Sequence, residues 1–341
     1  MGKFFKIVWV LMLFFSVNAS AQNIVQSSPE LQKNNVNDGA VKKTNDTAEE
    51  LLARAETGDE NALLDLGYMY LYGANGVNID YKAALSYYQK AAELGNATAY
   101  NNLGSLYFNG IGTEADPKKA ISYFEKAVET GSTDAAVNLA IIYLRDVDKN
   151  NIPTTFKKVK SLLLMAQEKN LTAKYLSGYA YKIGIIFNKD MKKAFSFIKQ
   201  AADEGYDEAQ YIVSEFYING TGVSKNYARA VEYLQKASKQ GHSQATMQLA
   251  DILSLGEIYP KNIKQAYILY NIAAGAGISS ASEKRDELEK KLGIEDLLSA
   301  QAEAENIKSE PTEQTKLIRQ TFGESLKKYL DSYINLEITQ E

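Results

Sequence analysis

The sequence predicts an all-α protein: a right-handed solenoid of about six stacked helix-turn-helix repeats, with capping helices at both ends. Three observations carry that prediction. Helix-stopping residues recur at Gly58, Gly95, Gly131, Asn170, Gly205, Gly241 and Gly277, in steps of 37, 36, 39, 35, 36 and 36. Gly and Asn are the residues that most readily take the left-handed conformation ending a helix. Fifteen residues before the last six stand Asp80, Asp116, Thr155, Asp190, Asn226 and Asn262. All six are preferred N-caps, whose side-chain oxygens accept from the open amides of the first turn. Small residues then recur in register, with Ala84, Ala120, Val159, Ala194, Ala230 and Ala266 four after the caps and Ala91, Ala127, Ala166, Ala201, Ala237 and Ala273 eleven after. Self-similarity at a fixed period near 36 is the signature of a repeat array.

Composition narrows the function before any site is sought. The 341 residues carry 38 Lys+Arg against 42 Asp+Glu, a net charge of -4, so the basic surplus of a nucleic-acid binder is missing. Hydrophobic residues are 45% and charged residues 23%, an ordinary globular composition. There is no Cys, which excludes thiol nucleophiles, disulfides, cysteine zinc sites and a lipid-modified N-terminal Cys. His242 is the one histidine, so histidine triads and multi-His metal sites are hard to assemble. No cofactor and no metal are expected, and the chain reads as a non-enzymatic binding protein.

Along the chain, residues 1–21 have the form of a secretory signal. Lys3 and Lys6 precede the nine-residue apolar run Ile7 to Phe15, and Ala19-Ser20-Ala21 supplies the small-x-small cleavage pattern. The run is too short to cross a bilayer core, which needs about 20 residues. Cleavage would remove the only tryptophan, Trp9, and place the mature chain in the periplasm or outside the cell. Residues 22–46 are polar, without an apolar period, and read as a flexible linker. Residues 47–58 hold a half-repeat whose single helix, 48–56, caps the array.

Residues 59–277 are the six repeats. The first helix of each opens at Ala62, Ala99, Ala135, Ala173, Ala209 and Ala245, and eleven residues later comes Gly73, Gly110, Asp146, Gly184, Gly220 or Gly256. A Leu and a Tyr four apart, as in Leu66/Tyr70 and Leu103/Tyr107, share one helical face. Length varies mainly in the turn inside the repeat, which spans 6 residues in four repeats, 7 in the first and 9 in the third. Insertions confined to turns are what a stacked array tolerates. Residues 278–309 form charged C-terminal capping helices. In 310–341, Ile318, Phe322, Leu326, Tyr329, Leu330 and Tyr333 fall on one stripe, so 312–335 reads as an amphipathic helix.

The pattern Ala-x-x-x-Leu-Gly-x-x-Tyr-x-x-Gly-x-Gly, then Asp, then Ala-x-x-Tyr-Tyr-x-Lys-Ala-Ala-x-x-Gly resembles the SEL-1-like repeat, a relative of the tetratricopeptide repeat. It is clearest in 62–95, 99–131 and 209–241. The chain departs from it in three places. Tyr or Phe stands where the second helix often has Trp, the third repeat lacks the Gly-x-Gly turn, and Leu253 replaces the usual Tyr in the sixth. The departure in the third repeat makes its turn, 147–154, an individual feature. The resemblance implies an adaptor that holds other proteins, often in bacterial envelopes or host interactions, and names no partner. A cell-wall or β-lactam enzyme, proposed for cysteine-rich relatives, is disfavoured by the missing Cys and by the lack of a Ser-x-x-Lys set in a recognisable context.

Binding residues are sought on the first helices. With the opening Ala as position 1, positions 1, 5 and 9 face the core, while positions 3, 7 and 10 form another stripe. Twelve of those 18 residues are apolar or aromatic. Tyr68, Leu71, Phe108, Ile141, Leu144, Tyr175, Tyr179, Tyr211, Ile218 and Met247 are therefore the candidate lining of a concave groove for a peptide or helix, with Tyr175, Tyr179 and Tyr211 as anchors. The same apolar stripe would also arise from partial packing of positions 3 and 10 against neighbouring helices, or from filling of the groove by 312–335. A further reading has 312–335 as the assembly element of an envelope complex or of self-association. Gly110-Ile-Gly112 and Gly220-Thr-Gly222 recur as turns and are structural, not phosphate loops. His242 is expected exposed beside Gly241, the acidic pairs Glu49-Glu50 and Asp203-Glu204 and the cluster Lys157-Lys158-x-Lys160 are expected solvated, and Asn45, Asn96, Asn170 and Asn219 begin chance sequons.

Overall fold

A computed structural model describes residues 46–145, 152–323, 325–331, 333 and 334. The signal segment, the linker to residue 45, Asn45 and most of the third turn lie outside the described residues. Among the described residues every long element is an α-helix: α1 (Ala48–Glu56), α2 (Glu60–Tyr72), α3 (Tyr81–Glu93), α4 (Ala97–Asn109), α5 (Pro117–Glu129), α6 (Thr133–Arg145), α7 (Ile152–Ala166), α8 (Leu171–Ile183), α9 (Met191–Asp203), α10 (Asp207–Asn219), α11 (Tyr227–Lys239), α12 (Ser243–Leu255), α13 (Ile263–Gly275), α14 (Ser279–Glu289), α15 (Ile294–Asn306), α16 (Glu313–Phe322) and the single turn α17 (Lys328–Asp331). This is an α-solenoid of helix-turn-helix repeats. Its chain divides into two compact units, to Ile142 and from Tyr143.

Helix boundaries follow the predicted caps closely. Asp80, Asp116, Asp190, Asn226 and Asn262 each accept backbone amides at the start of α3, α5, α9, α11 and α13. Thr47 and Glu50 form a reciprocal capping box on α1. The first helices open two residues before the predicted Ala. Their caps are Asp59, Asn96 and Asn170, with Ser132 accepting from Ala135 N at 3.2 Å.

The third repeat breaks the predicted frame twice. Helix α7 opens at Ile152, not after Thr155, because Pro153 sits in a first turn where its missing N–H costs nothing. Asn170 has φ -111° and caps α8, so it is not the left-handed stop predicted for it.

In unit 1, Leu51, Ala62, Leu66 and Met69 form a buried cluster under the N-terminal cap. A Cβ on Gly104 would come within 2.7 Å of the Phe124 ring, which is why the position after the helix Leu is small. In unit 2 the core runs from Val231 and Leu234 through the sixth repeat to Leu288, Ala300 and Ala304 of the capping helices. The Gly-x-Gly turns are structural contacts. Gly222 has φ 72°, and a Cβ there would lie 2.1 Å from the carbonyl oxygen of Met191, so glycine is required twice over.

The predicted C-terminal helix is not continuous. Helix α16 stops at Gly323 (φ 88°, ψ -175°), a conformation that only glycine takes without strain, and the chain resumes as the turn α17.

Candidate protein-binding face

The tail of unit 2 lies across the first helices of its own repeats, beginning at the ends of α9 and α11. Glu310 N donates to Lys239 O at 2.8 Å, and their side chains form an ion pair. Thr312 caps α16 by accepting from Thr315 N at 3.2 Å, and its hydroxyl donates to Gly205 O at 2.9 Å. Gln240, 3% exposed, is the hub. Its Nε2 donates to Gly205 O and to Gln210 Oε1, each at 2.9 Å. Its Oε1 accepts Thr312 N at 2.9 Å and the Thr315 hydroxyl at 2.7 Å. Thr315 Oγ1 in turn accepts Asp207 N at 3.1 Å. That bond satisfies the first amide of α10, whose N-cap Tyr206 makes no side-chain capping bond.

Two adjacent carboxylates occupy the first turn of α10. Asp207 is 2% exposed and pairs with Arg319 Nη2 at 2.6 Å. Glu208, 5% exposed, accepts the Tyr206 hydroxyl at 2.8 Å and the Ser325 hydroxyl at 2.7 Å, with Lys327 Nζ at 3.7 Å. The positive end of the helix dipole favours carboxylates here. Burial nevertheless wins at Asp207 and raises its carboxyl above the ordinary value, against the pull of Arg319. Further on, Asp331 accepts the Tyr179 hydroxyl at 2.6 Å. The Tyr333 hydroxyl donates to Leu144 O, and its ring meets Phe156 edge-on at 5.1 Å. Ile318, Leu326, Leu330 and Tyr333 are buried.

Of the ten predicted lining residues, Leu71, Ile141, Leu144, Tyr175 and Tyr179 are buried, and Tyr68, Phe108, Tyr211, Ile218 and Met247 are half-buried. Tyr175 is fully buried, stacked on Tyr179 at 6.1 Å and edge-on to Tyr206 at 4.9 Å, so it is not open to a partner. Burial pushes the phenols of Tyr175, Tyr179 and Tyr206 well above the usual tyrosine range. Tyr211, pushed up to about 12 by burial, Ile218 and Met247 pack on the core of the last repeats. In unit 1, Tyr68 leans on Tyr72 at 4.7 Å. The tail's contacts with Lys239, Gly205, Gln240, Asp207, Glu208, Tyr179 and Leu144 all fall within unit 2.

His242 is not the exposed residue expected. It caps α12 by accepting Ala245 N on Nδ1 at 3.2 Å, and its ring stacks on Tyr211 at 4.8 Å. Burial lowers its pKa to about 4, so the ring is neutral at pH 7 and its acceptor nitrogen is free for the cap. The sequons at Asn96 and Asn170 are likewise caps.

Between the two helices of a repeat, aromatic pairs recur: Tyr70/Tyr87, Tyr107/Tyr123, Tyr181/Phe197 and Tyr217/Tyr233, all stacked within 6.1 Å. Lysines lie over several of them, as Lys119 does over Tyr107 at 4.1 Å. A shallow hollow of about 280 Å³ opens beside Tyr181, Phe187, Lys160 and Lys193. It adjoins Ile186, a β-branched residue with φ 70° where two other repeats have glycine. Among the described residues, no group of three or more acidic or histidine side chains could hold a metal ion, and no helix is long and apolar enough to cross a membrane.

Asp207-Glu208, Gln240, Thr312 and Thr315 are not found by sequence reasoning. One signal does mark their place. In the register where other first helices carry Asp, Asn, Ser or the capping His242, the fifth carries Tyr206, which makes no side-chain cap.

Stacked helix pairs of this kind define a repeat scaffold, a class that works through the faces of its helices. Within that class the chain belongs to the Sel1 repeat family. The Sel1 repeat matches residues 61–96, 97–132, 172–206, 207–242 and 243–278, more than half of the chain. The unmatched stretch between the second and third of these is the repeat whose caps and turn depart from the pattern. The structure is similar to that of c5321, a protective antigen of uropathogenic Escherichia coli with an SLR fold, at TM-score 0.64 and 26% identity. The similarity covers 86% of this chain and 60% of the antigen, so the chain spans less than two thirds of that protein's length. It is also similar to a Sel1 repeat protein from Oxalobacter formigenes, at TM-score 0.55 and 26% identity, covering 66% of this chain and 89% of the other. No curated protein matches the sequence.

Proposed function

We propose that the chain is an exported, non-enzymatic scaffold that holds a segment of a partner protein against the first helices of its repeats. The observation that carries this reading is the seating of 308–334 on that face in unit 2. The face accommodates a short amphipathic helix through apolar contact, hydroxyl bonds and ion pairs, as helix-in-groove recognition requires. Tyr68 and Phe108 give unit 1 comparable half-buried aromatic surface. The predicted signal at 1–21 supports export. Assembly of an envelope complex through 312–335 has less support, because the apolar stripe of that segment is buried in its own chain.

The test is photocrosslinking in cells. A crosslinking amino acid placed at Tyr68, Phe108, Ile218 or Met247 should give adducts with a partner protein, whereas one at Lys82 or Lys118 on second helices should give none. Adducts confined to the second-helix positions would overturn the reading. N-terminal sequencing of the isolated protein should begin at Gln22, with tryptophan emission gone. A retained Trp9 would refute cleavage of the signal.

A further inference from the structure

We propose that the tail-covered face of unit 2 is a recognition site for one kind of helix from a partner protein, with 308–334 as its resident competitor. That helix carries a hydroxyl residue at its N-cap, a second hydroxyl three residues on and an arginine seven residues on, as Thr312, Thr315 and Arg319 do. The inference rests on the proposed binding function and gives the partner's segment a chemistry.

Three features of the repeats point outward to such a helix. First, Tyr206 gives α10 no side-chain cap, and the amide of its first residue, Asp207 N, donates to Thr315 on the tail. Second, Asp207 and Glu208 are buried side by side, and their ion pairs are with Arg319 and Lys327, both on the tail. A buried carboxylate that loses its partner is costly, so the site selects for a cation at that place. Third, Gln240 presents its carbonyl oxygen to a backbone N–H and a hydroxyl at the first turn of the incoming helix. That pair of acceptances reads a helix start bearing Thr or Ser.

The tail is also attached in a way that permits exchange. Residues 307–310 are exposed, with Ile307 at 45%, so the segment can leave without opening the repeats. The break at Gly323 separates the helix from the distal contacts at Tyr179 and Leu144. A partner helix has to replace the contacts of α16 and those that Ser325 and Lys327 make with Glu208.

A tethered segment competes at an effective concentration on the order of millimolar. A free helix of equal intrinsic affinity is therefore excluded from the wild-type chain at micromolar concentration. The test lowers the resident's grip from the tail side and leaves the site intact. Full-length chain carrying Thr315→Val and Arg319→Ala is titrated with a fluorescently labelled peptide of residues 308–334, and anisotropy is read. Hydrogen exchange monitors α16 in parallel. The double variant should bind the peptide at least tenfold more tightly than wild type does. Adding Asp207→Asn should cost at least tenfold, and a peptide bearing the two tail substitutions should not bind. Failure to bind when hydrogen exchange shows α16 released overturns the proposal, because the tail is then a structural strap and nothing more. Unchanged protection of α16 in the double variant overturns it too, since these contacts would not be what holds the tail. Wild-type dimers that the peptide dissociates would make a second copy of this chain the occupant, against a separate partner. None of these failures touches crosslinks at Tyr68 and Phe108 in unit 1, so the general reading stands or falls separately.

Discussion

Helices α8 and α10 start in the same register of successive repeats and solve the same problem differently. At α8, Asn170 turns its own oxygen back to Ala173 N at 3.0 Å. At α10, Tyr206 supplies no side-chain cap, and Thr315 takes the first amide, Asp207 N, from 108 residues away. A local cap serves one helix and commits nothing else. A distant cap makes that helix depend on a segment that can be present or absent. The fifth repeat thus breaks the periodic rule at the place where the tail is bonded.

The contrast between the two helix starts is tested hardest at the ion pair. Arg319→Ala leaves Asp207 buried without its cation, and we expect unit 2 to lose about 3 kcal/mol in urea unfolding. Hydrogen exchange should speed at the α10 amides and stay unchanged at those of α8. Equal loss at both helices would mean that the tail supports unit 2 as a whole.

Acid comes next, and it acts through His242. Its folded pKa of about 4 lies below the ordinary 6.5, so the unfolded chain binds the extra proton between those values. Stability from this group is complete above pH 6.5 and is lost as pH falls toward 4, by at most about 3 kcal/mol. Asp207, with its carboxyl raised, titrates in the opposite sense, because the folded state holds that proton more firmly above the ordinary carboxyl pKa. Asparagine already caps this register at positions 96 and 170, so His242→Asn should keep the helix start and flatten the acid limb. Thermal melts from about pH 7 to 4 on both proteins decide it; parallel slopes would acquit His242.

Thr315→Val is a smaller change. It leaves the buried Asp207 amide without an acceptor, an expected cost of about 2 kcal/mol. Smallest is the local cap itself. Asn170→Ala should cost about 1 kcal/mol, and Asn170→Gly only a few tenths. Both are measured by chemical denaturation, with α10 exchange as the control. A larger loss from Asn170→Ala than from Thr315→Val would reverse the order drawn between the two helix starts.

Much of the fold is legible in sequence because it is local. Asp80, Asp116, Asp190, Asn226 and Asn262 cap their helices within three residues, and Gly73, Gly110, Gly184, Gly220 and Gly256 end theirs in the left-handed conformation. The amphipathic stripe of the tail is legible too, and four of its six residues are buried. Its interruption is not, because the stripe runs across Gly323, where a period says nothing about a left-handed backbone. The third repeat misleads because Pro153 moves a helix start and Asn170 serves the next helix, not the last one. Helical phase places Tyr175 and Tyr179 off the core, but phase cannot register that Tyr206 of the next repeat packs on Tyr175 or that Asp331 of the tail bonds Tyr179. Gln240, Thr312 and Thr315 are single polar residues with no pattern of their own, and only the folded chain brings them together.

The distance between Asp207 and Thr315 also has a meaning in time. At about 5–20 residues per second, a ribosome takes roughly 5–20 s to add the 108 residues between them. During that interval the first four repeats are already synthesised, and the acidic start of α10 is open. A nascent or truncated chain thus shows its surroundings a face that the finished chain covers. Whatever helper meets that face during synthesis meets the same chemistry that a partner would later compete for.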